Sequence, residues 1–231
     1  TDGPLATFTM SDRDRYELKL AGLLHDCGKV TTPVHVVDKA TKLETIYDRI
    51  NLVDTRFEVI KRDAELAALR EHLELSRSVV ADEMIRRTRA HEIDSRLREN
   101  LRRLEEDREF LRIHNAGGEF MPAEAQARVR EIGTRYRWKD PSGNLAEFLT
   151  EDEMENLTIA RGTLTSAERD IINHHIVATI NMLEALPWPR HLSNVPEYAG
   201  GHHERMDGKG YPRGLTRDQM SVPARVMGIA D

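Results

Sequence analysis

The chain has 231 residues and a formal charge of −6, from 34 basic and 40 acidic side chains, which excludes a strongly basic protein that coats nucleic acid. Charged residues form 32% and aromatic residues 5% of the chain, a composition typical of long solvated helices rather than β-sandwiches. The single cysteine, Cys27, precludes an internal disulfide, and neither a signal pattern nor a run of about 18 apolar residues is present. We therefore expect a cytoplasmic protein without membrane contact.

The first predicted helix carries a candidate metal-ligating pair at its end. It begins at the capping residue Ser11, repeats apolar residues at helical spacing, and runs towards Gly28, a plausible breaker. His25 and Asp26 are neighbours, so on a helix their side chains diverge by about 100°. One could hold a metal ion while the carboxylate bridges two. Lys29, three residues beyond Asp26, is suited to contact a phosphate.

A long charged segment follows, in which neither glycine nor proline occurs between Pro33 and Gly117. This absence, with the density of Glu, Arg, Leu and Ala, predicts long helices. A hinge at residues 74–78 would fold them into an antiparallel hairpin, with a continuous rod as the alternative. The segment is expected to serve interaction or dimerisation. Two apolar stripes have coiled-coil spacing, Leu66, Leu69 and Leu73 in one, and Ile93, Leu97, Leu101 and Leu104 in the other.

Shorter elements are predicted beyond this segment. Helices should cover residues 121–137 and begin at the capping pair Thr150 and Glu153, with a turn at 139–144 between them. Another helix should run from Thr165 to about residue 186 and place one of His174 and His175 towards a site. Its expected buried stripe consists of Ile171, Ile172, Ile176, Ile180 and Leu183.

The most informative stretch is residues 200–212, where His202, His203 and Glu204 run into a glycine-rich turn. Each buried imidazole needs a polar partner, so an adjacent pair is best explained as metal ligands, with a solvated histidine-rich loop as the alternative. Further ligands would come from residues 25–26 and 174–175. Tyr211 could stack on a purine or pack the turn, and we favour packing. The basic candidates for binding substrate phosphate are Arg205, Lys209 and Arg213.

A final helix is predicted from Ser221, which precedes a proline suited to a first helical turn. Val226, Ile229 and Ala230 are expected in the core, and the helix ends on Asp231, another candidate ligand. No terminating signal follows Asp231, so the chain is expected to be cut at both ends.

Three motifs together resemble a known family. His25-Asp26-x-x-Lys29, His202-His203-Glu204 and Asp207-Gly208-x-Gly210-Tyr211-Pro212 are similar to the signature of the HD-GYP subgroup of HD-domain phosphohydrolases. The resemblance implies an all-α helical bundle. Residues 11–40 and 161–231 would form two parts of its catalytic domain, and residues 41–160 a helical, coiled-coil-like insertion.

The resemblance also implies a metal site and a reaction. Two or three divalent transition-metal ions, iron or manganese first and nickel or zinc as alternatives, would serve hydrolysis of a cyclic dinucleotide, most notably cyclic di-GMP. Asp26 would bridge two ions, an attacking hydroxide would lie between them, and Lys29 would contact phosphate. A further ligand histidine of the family would precede the present chain. Carried over residue by residue, the metal ligands are His25, Asp26, His175, His202, His203 and Asp231.

Two alternatives to this function stay open. The chain could be a catalytically weak signalling module that binds a cyclic dinucleotide or a protein, or a phosphohydrolase of another nucleotide. The helical insertion could serve a homodimer or a signalling partner, and no nucleic acid polymer is expected as a partner. The chain could also be the cytoplasmic part of a larger sensor.

Overall fold

The computed structural model describes residue 3, residues 5–78 and residues 82–231, which are mostly helical, so the all-α prediction is confirmed. Three short 3-10 turns cover Cys27–Thr31, Arg190–Leu192 and Arg217–Gln219. The longer elements are α1 (Asp12–Leu24), α2 (Val34–Val37), α3 (Ile50–Arg77), α4 (Glu83–Asn115), α5 (Ala123–Arg135), β1 (Arg137–Lys139), β2 (Leu145–Glu147), α6 (Glu151–Leu157), α7 (Ser166–Asn173), α8 (His175–Glu184), α9 (Val195–Gly200) and α10 (Val222–Ala230).

The chain divides into two compact units. The first comprises the residues up to Val37 together with Ser166–Asp231, and the second comprises Asp38–Thr165. The assignment of residues 41–160 as an insertion into a catalytic domain stays a prediction. No helix within the described residues is long and apolar enough to cross a membrane.

Helix α9 is the packing centre of the first unit, because α1, α8 and α10 all contact it. The core around it contains Leu183 together with Ala21, Ala199 and Ala224, and the three small alanines allow the helices to approach closely. A Cβ on Gly201 would lie only 3.0 Å from the Cβ of Ala224. The packing therefore brings the ends of several short helices together.

Gly28 holds the 3-10 turn after α1 against α8. Its amide donates to Thr179 Oγ1 at 2.9 Å. A Cβ at this position would lie 2.0 Å from the carbonyl oxygen of His175 and 2.6 Å from the amide nitrogen of Thr179. Only glycine allows this approach of the two backbones. The predicted breaker is therefore also a packing residue that brings Asp26 towards His175.

Two details of the predicted helices in this unit are wrong. The helix expected from Thr165 to about residue 186 is interrupted at His174 and forms α7 and α8. The interruption changes the helical phase, so Ile171 is 44% exposed while Ile176, Ile180 and Leu183 are buried as predicted.

In α10 the predicted core face is also incorrect. Val226 is 41% and Ile229 is 82% exposed, and Ala230 is exposed as well. The helix packs instead through Ala224 and Met227, because the small side chain of Ala224 permits the close contact with α9. The predicted cap is confirmed, since Ser221 Oγ accepts from the amide of Ala224.

In the second unit α3 and α4 form an antiparallel hairpin, so the rod is excluded. Of the two predicted stripes, the one on α4 faces the core in part, with Ile93 and Leu104 buried. The stripe on α3 is wrong, because Leu66, Leu69 and Leu73 are 48%, 63% and 49% exposed and Ala68 makes the contact instead. The two helices are joined by the ion pairs His72–Asp94, Lys61–Glu105 and Arg112–Asp54.

A buried lysine closes the end of α6 in the second unit. Lys42 is 2% exposed, and its ammonium group donates to the carbonyl oxygens of Leu157 at 3.1 Å and Ile159 at 2.9 Å and contacts Met121 Sδ at 3.1 Å. Its partners are neutral, and burial lowers the pKa of Lys42 to about 8. The ammonium group thus satisfies carbonyls that the end of a helix leaves without partners.

Candidate metal centre

Asp26 lies at the centre of a cluster of imidazole rings in the first unit. Its Oδ2 is 3.3 Å from His25 Nε2, and its Oδ1 is 3.2 Å from His175 Nε2 and 3.9 Å from His202 Nε2. The two carboxylate oxygens therefore face different rings. Asp231 Oδ1 also lies 3.3 Å from His25 Nε2.

The rings of three histidines are oriented in the same way, each by the carbonyl three residues earlier. His25 Nδ1 is 2.8 Å from the carbonyl oxygen of Gly22, and His202 Nδ1 is 2.6 Å from that of Ala199. His175 Nδ1 meets the carbonyl oxygen of residue 172. Because a carbonyl oxygen can only accept, Nδ1 carries the proton in each ring. The lone pair is then on Nε2, which points towards Asp26.

His202 gives the clearest sign that the cluster can bind a cation. Its Nε2 is buried and has no hydrogen-bond partner. A buried polar nitrogen without a partner is costly, so its retention needs an explanation such as an ion. The donor atoms form two groups within 4.8 Å, His175 with His202 and His203, and His25 with Asp26 and His202. Mixed imidazole and carboxylate donors suit Fe, Mn, Ni or Zn, so the described residues fit a metal site.

The protonation states also favour cation binding. Burial lowers the pKa of His203 to about 4, with the neighbouring His202 and His175 acting in the same direction, and burial lowers the pKa of His202 as well. Burial acts to raise the pKa of Asp26, but the hydrogen bond from Lys29 and the nearby His25 outweigh it and hold the pKa below 3.8. At neutral pH His202 and His203 therefore present neutral imidazoles and Asp26 presents a carboxylate, the forms that bind metal ions.

Lys29 contacts the centre directly. Its Nζ lies 2.7 Å from Asp26 Oδ2, at the face of the carboxylate shared with His25. The side chain is 43% exposed, so the ammonium group lies where the cluster opens to solvent.

His174 and His175 are separated by the break between α7 and α8. His175 is 4% exposed and joins the cluster, whereas His174 is exposed and precedes α8 as its N-cap residue. The arrangement gives one histidine of the pair to the candidate site.

The three predicted phosphate-binding residues lie on the exposed turn after the cluster. Arg205 pairs with Asp207 at 2.8 Å, and Arg213 pairs with Glu184 at 2.8 Å, while Lys209 is exposed. Of the three, Arg205 lines a cleft of about 400 Å³ between the turn and α10.

Glu204 is a residue whose position the sequence did not explain. It is 7% exposed, and its two carboxylate oxygens accept from the backbone amides of Arg213 and Leu215, each at 2.7 Å. Glu204 therefore closes the glycine-rich turn onto the end of the His202–His203 motif. Its place directly after two histidines, with a glycine-rich turn following, was a signal for such a role.

Comparisons with known proteins agree with the all-α fold and with the predicted resemblance. Residues 150–231 match the family described as HD domain. A cyclic di-GMP phosphodiesterase of Thermotoga maritima is 28% identical over 143 residues, which are 53% of this chain and 37% of that protein. The 3'3'-cGAMP-specific phosphodiesterase 3 of Vibrio cholerae is 37% identical over 70 residues, which are 30% of this chain and 15% of that protein. The 3'3'-cGAMP-specific phosphodiesterase 1 of the same organism is 56% identical over 39 residues, which are 17% of this chain and 9% of that protein. No solved structure matches the chain.

These matches make the chain similar to the HD domain family over residues 150–231. With the named relatives, they confirm the predicted resemblance to HD-GYP-like phosphodiesterases. The chain spans between 9% and 37% of the length of these relatives.

Proposed function

We propose that the first unit is the metal-dependent catalytic part of a phosphodiesterase that hydrolyses a cyclic dinucleotide. One observation carries the proposal: the six predicted ligands, Asp26 among them, form one cluster in which the buried Nε2 of His202 has no hydrogen-bond partner among the described residues. Such a donor set has no evident use in packing. The relatives that act on cyclic dinucleotides support the reaction class.

Two neighbouring groups of side chains would hold the ions. His175, His202 and His203 form one, and His25 and Asp26 form the other, with His202 near both and Asp231 beside His25. Bound ions would supply Lewis acidity and lower the pKa of a water molecule that acts as the nucleophile.

Asp26 and Lys29 have the contacts that the reaction needs from the protein. Asp26 presents one oxygen to each group of imidazoles, which suits a bridging carboxylate. Lys29 holds the oxygen Oδ2 at 2.7 Å. A bound cation would weaken the attraction between Lys29 and Asp26, and the ammonium group would then be available to stabilise negative charge on a phosphate.

Cyclic di-GMP is the first candidate substrate, because the Thermotoga maritima relative, which matches over 143 residues, is named a cyclic di-GMP phosphodiesterase. 3'3'-cGAMP is the second candidate, since two relatives are named for it. Arg205 would meet the substrate in the cleft that it lines, and Lys209 and Arg213 would add positive charge from the same turn.

The test is to measure metal content and hydrolysis in the same preparations. The chain loaded with Mn²⁺ is incubated with cyclic di-GMP and with 3'3'-cGAMP, and the Asp26→Ala variant is treated alike. We expect Asp26→Ala to lose hydrolysis while its circular dichroism spectrum stays helical. Asp12→Ala is a matched control on the exposed first turn of α1 and should retain activity.

Two results would contradict the proposal. Normal turnover by Asp26→Ala would exclude the metal scheme. Binding of a cyclic dinucleotide without bound metal and without turnover would instead favour a signalling module.

A further inference from the structure

His203 differs from the other histidines of the cluster in what orients its ring. Among the described contacts, no carbonyl oxygen accepts from its Nδ1, whereas His25, His175 and His202 each have one. Its Nε2 lies within hydrogen-bond distance of His175 Nε2, at 3.3 Å, but a single contact at one nitrogen does not fix the rotation of the ring about that contact. Another group must therefore define the plane of this imidazole.

Tyr211 supplies such a group. Its ring stacks on the imidazole of His203, with centroids 4.8 Å apart and planes 19° from parallel. The phenol hydroxyl donates to Asn173 Oδ1 at 3.2 Å, and Asn173 ends α7 two residues before His175. Tyr211 also donates its backbone amide to the carbonyl oxygen of His203 at 3.2 Å. The Tyr211 side chain thus contacts the predicted ligand His203 and is hydrogen-bonded to the end of α7, which precedes the predicted ligand His175.

The turn that carries Tyr211 is held in place from within. Glu204 is buried and accepts from two amides on the far side of the turn, those of Arg213 and Leu215. Gly210 permits the closure, because a Cβ there would lie 2.2 Å from the amide nitrogen of Arg205. The Tyr211 ring is consequently placed by a closed backbone loop rather than by a free side chain.

We infer that Tyr211 is a positioning residue for the metal centre, which fixes the imidazole plane of His203 by stacking, with Glu204 holding the turn that presents it. The inference rests on the proposed function, since it requires His203 to be a metal ligand. The stacking ring is the essential part, and the hydroxyl bond to Asn173 supports it.

Three variants separate these contributions. Tyr211→Ala removes both the ring and the hydroxyl, Tyr211→Phe keeps the ring, and Tyr16→Ala alters an exposed tyrosine of the same unit that is 54% exposed. The metal-free 231-residue chain is titrated with Co²⁺, whose visible absorption reports the number and arrangement of ligands, and with Mn²⁺ by calorimetry.

We expect Tyr211→Ala to weaken metal binding by about 10-fold or more, as loss of groups that orient ligands does, and to alter the Co²⁺ spectrum. Tyr211→Phe should restore the wild-type spectrum and an affinity within about threefold, and Tyr16→Ala should match the wild type. If Tyr211→Ala loses its helical circular dichroism, Tyr211→Leu, which keeps apolar volume without an aromatic face, makes the same comparison.

The outcomes distinguish this inference from the proposed function. A wild-type chain that binds neither Co²⁺ nor Mn²⁺ overturns both. A wild-type chain that binds metal, with a Tyr211→Ala variant of equal affinity and identical spectrum, overturns only the role of Tyr211. Failure of Tyr211→Phe to restore binding overturns stacking as the essential contact.

Discussion

Replacement of Gly28 by alanine should damage both stability and the metal centre. The new Cβ would lie 2.0 Å from the carbonyl oxygen of His175, where ordinary contact begins at 3.4 Å, so the turn and α8 must separate by about 1.4 Å. The opposing atoms include the backbone of Thr179, which cannot rotate away. The turn must therefore move, and Asp26 must move with it, away from His175.

The magnitude follows from two losses. Overpacking in a close contact costs about 1–3 kcal/mol, and weakening the bond from the Gly28 amide to Thr179 costs about 1 kcal/mol more. A total of about 2–4 kcal/mol corresponds to a fall in melting temperature of roughly 10–25 °C for a unit of this size. The displacement should also weaken Mn²⁺ binding by about 10-fold or more, because ligand geometry is lost.

The assay follows thermal unfolding of the first unit by the fluorescence of Trp188, in a background where Trp138 of the second unit is replaced by phenylalanine. Gly22→Ala is the matched control, since a Cβ there would meet only Met227 Sδ at an ordinary 3.8 Å and the position is helical. We expect the control to be neutral or up to about 1 kcal/mol more stable. A Gly28→Ala variant that melts within 2 °C of the wild type would refute the reasoning.

Three further predictions concern pH and metal. The pKa of Lys42 is about 8 in the folded protein, below its ordinary 10.5, so between these pH values the unfolded state binds more protons than the folded state. The free energy of unfolding of the second unit, measured with urea, should therefore rise by about 2 kcal/mol from pH 7.5 to 9.5. The Lys42→Met variant should lack this rise. The folded pKa of His203, about 4, lies below 6.5, so the metal-free chain should lose stability as pH falls from 6.5 to 4, and His203→Asn should lose less. Mn²⁺ at 100 times its dissociation constant should stabilise the first unit by about 2.7 kcal/mol, an effect that a chelator reverses and His202→Ala abolishes.

Local patterns in the sequence were sufficient for the helix starts. The capping boxes at Ser11 and Thr150 form as predicted, because the side chain and the amide that it accepts from are only three residues apart. The candidate ligands could also be found, because imidazoles and carboxylates in this order have few uses in packing.

Contacts between distant segments were not predictable in the same way. The exposure of Leu66 and Leu73 on α3 reflects which helix face meets α4, and periodicity alone gives two faces of similar character. For the β1–β2 hairpin the sequence predicted the turn at residues 139–144 but not the two strands. The packing role of Gly28 depends on α8, because its hydrogen-bond partner Thr179 lies 151 residues further along the chain.

The arrangement of the histidines follows from how helices end. An α-helix leaves its last four carbonyl groups without partners, and these ends carry partial negative charge. His25 follows α1, His175 follows α7 and His202 follows α9, each by one or two residues. Each ring donates Nδ1–H to a carbonyl of that final turn, so a structural need of the helix orients the imidazole. The hydrogen bond from Nδ1 also makes the Nε2 that faces Asp26 more basic. A cation bound at Nε2 would be stabilised by the partial negative charge of the helix end that each ring contacts. Bringing the ends of α1, α7 and α9 together therefore both completes hydrogen bonds at the helix ends and assembles the donors.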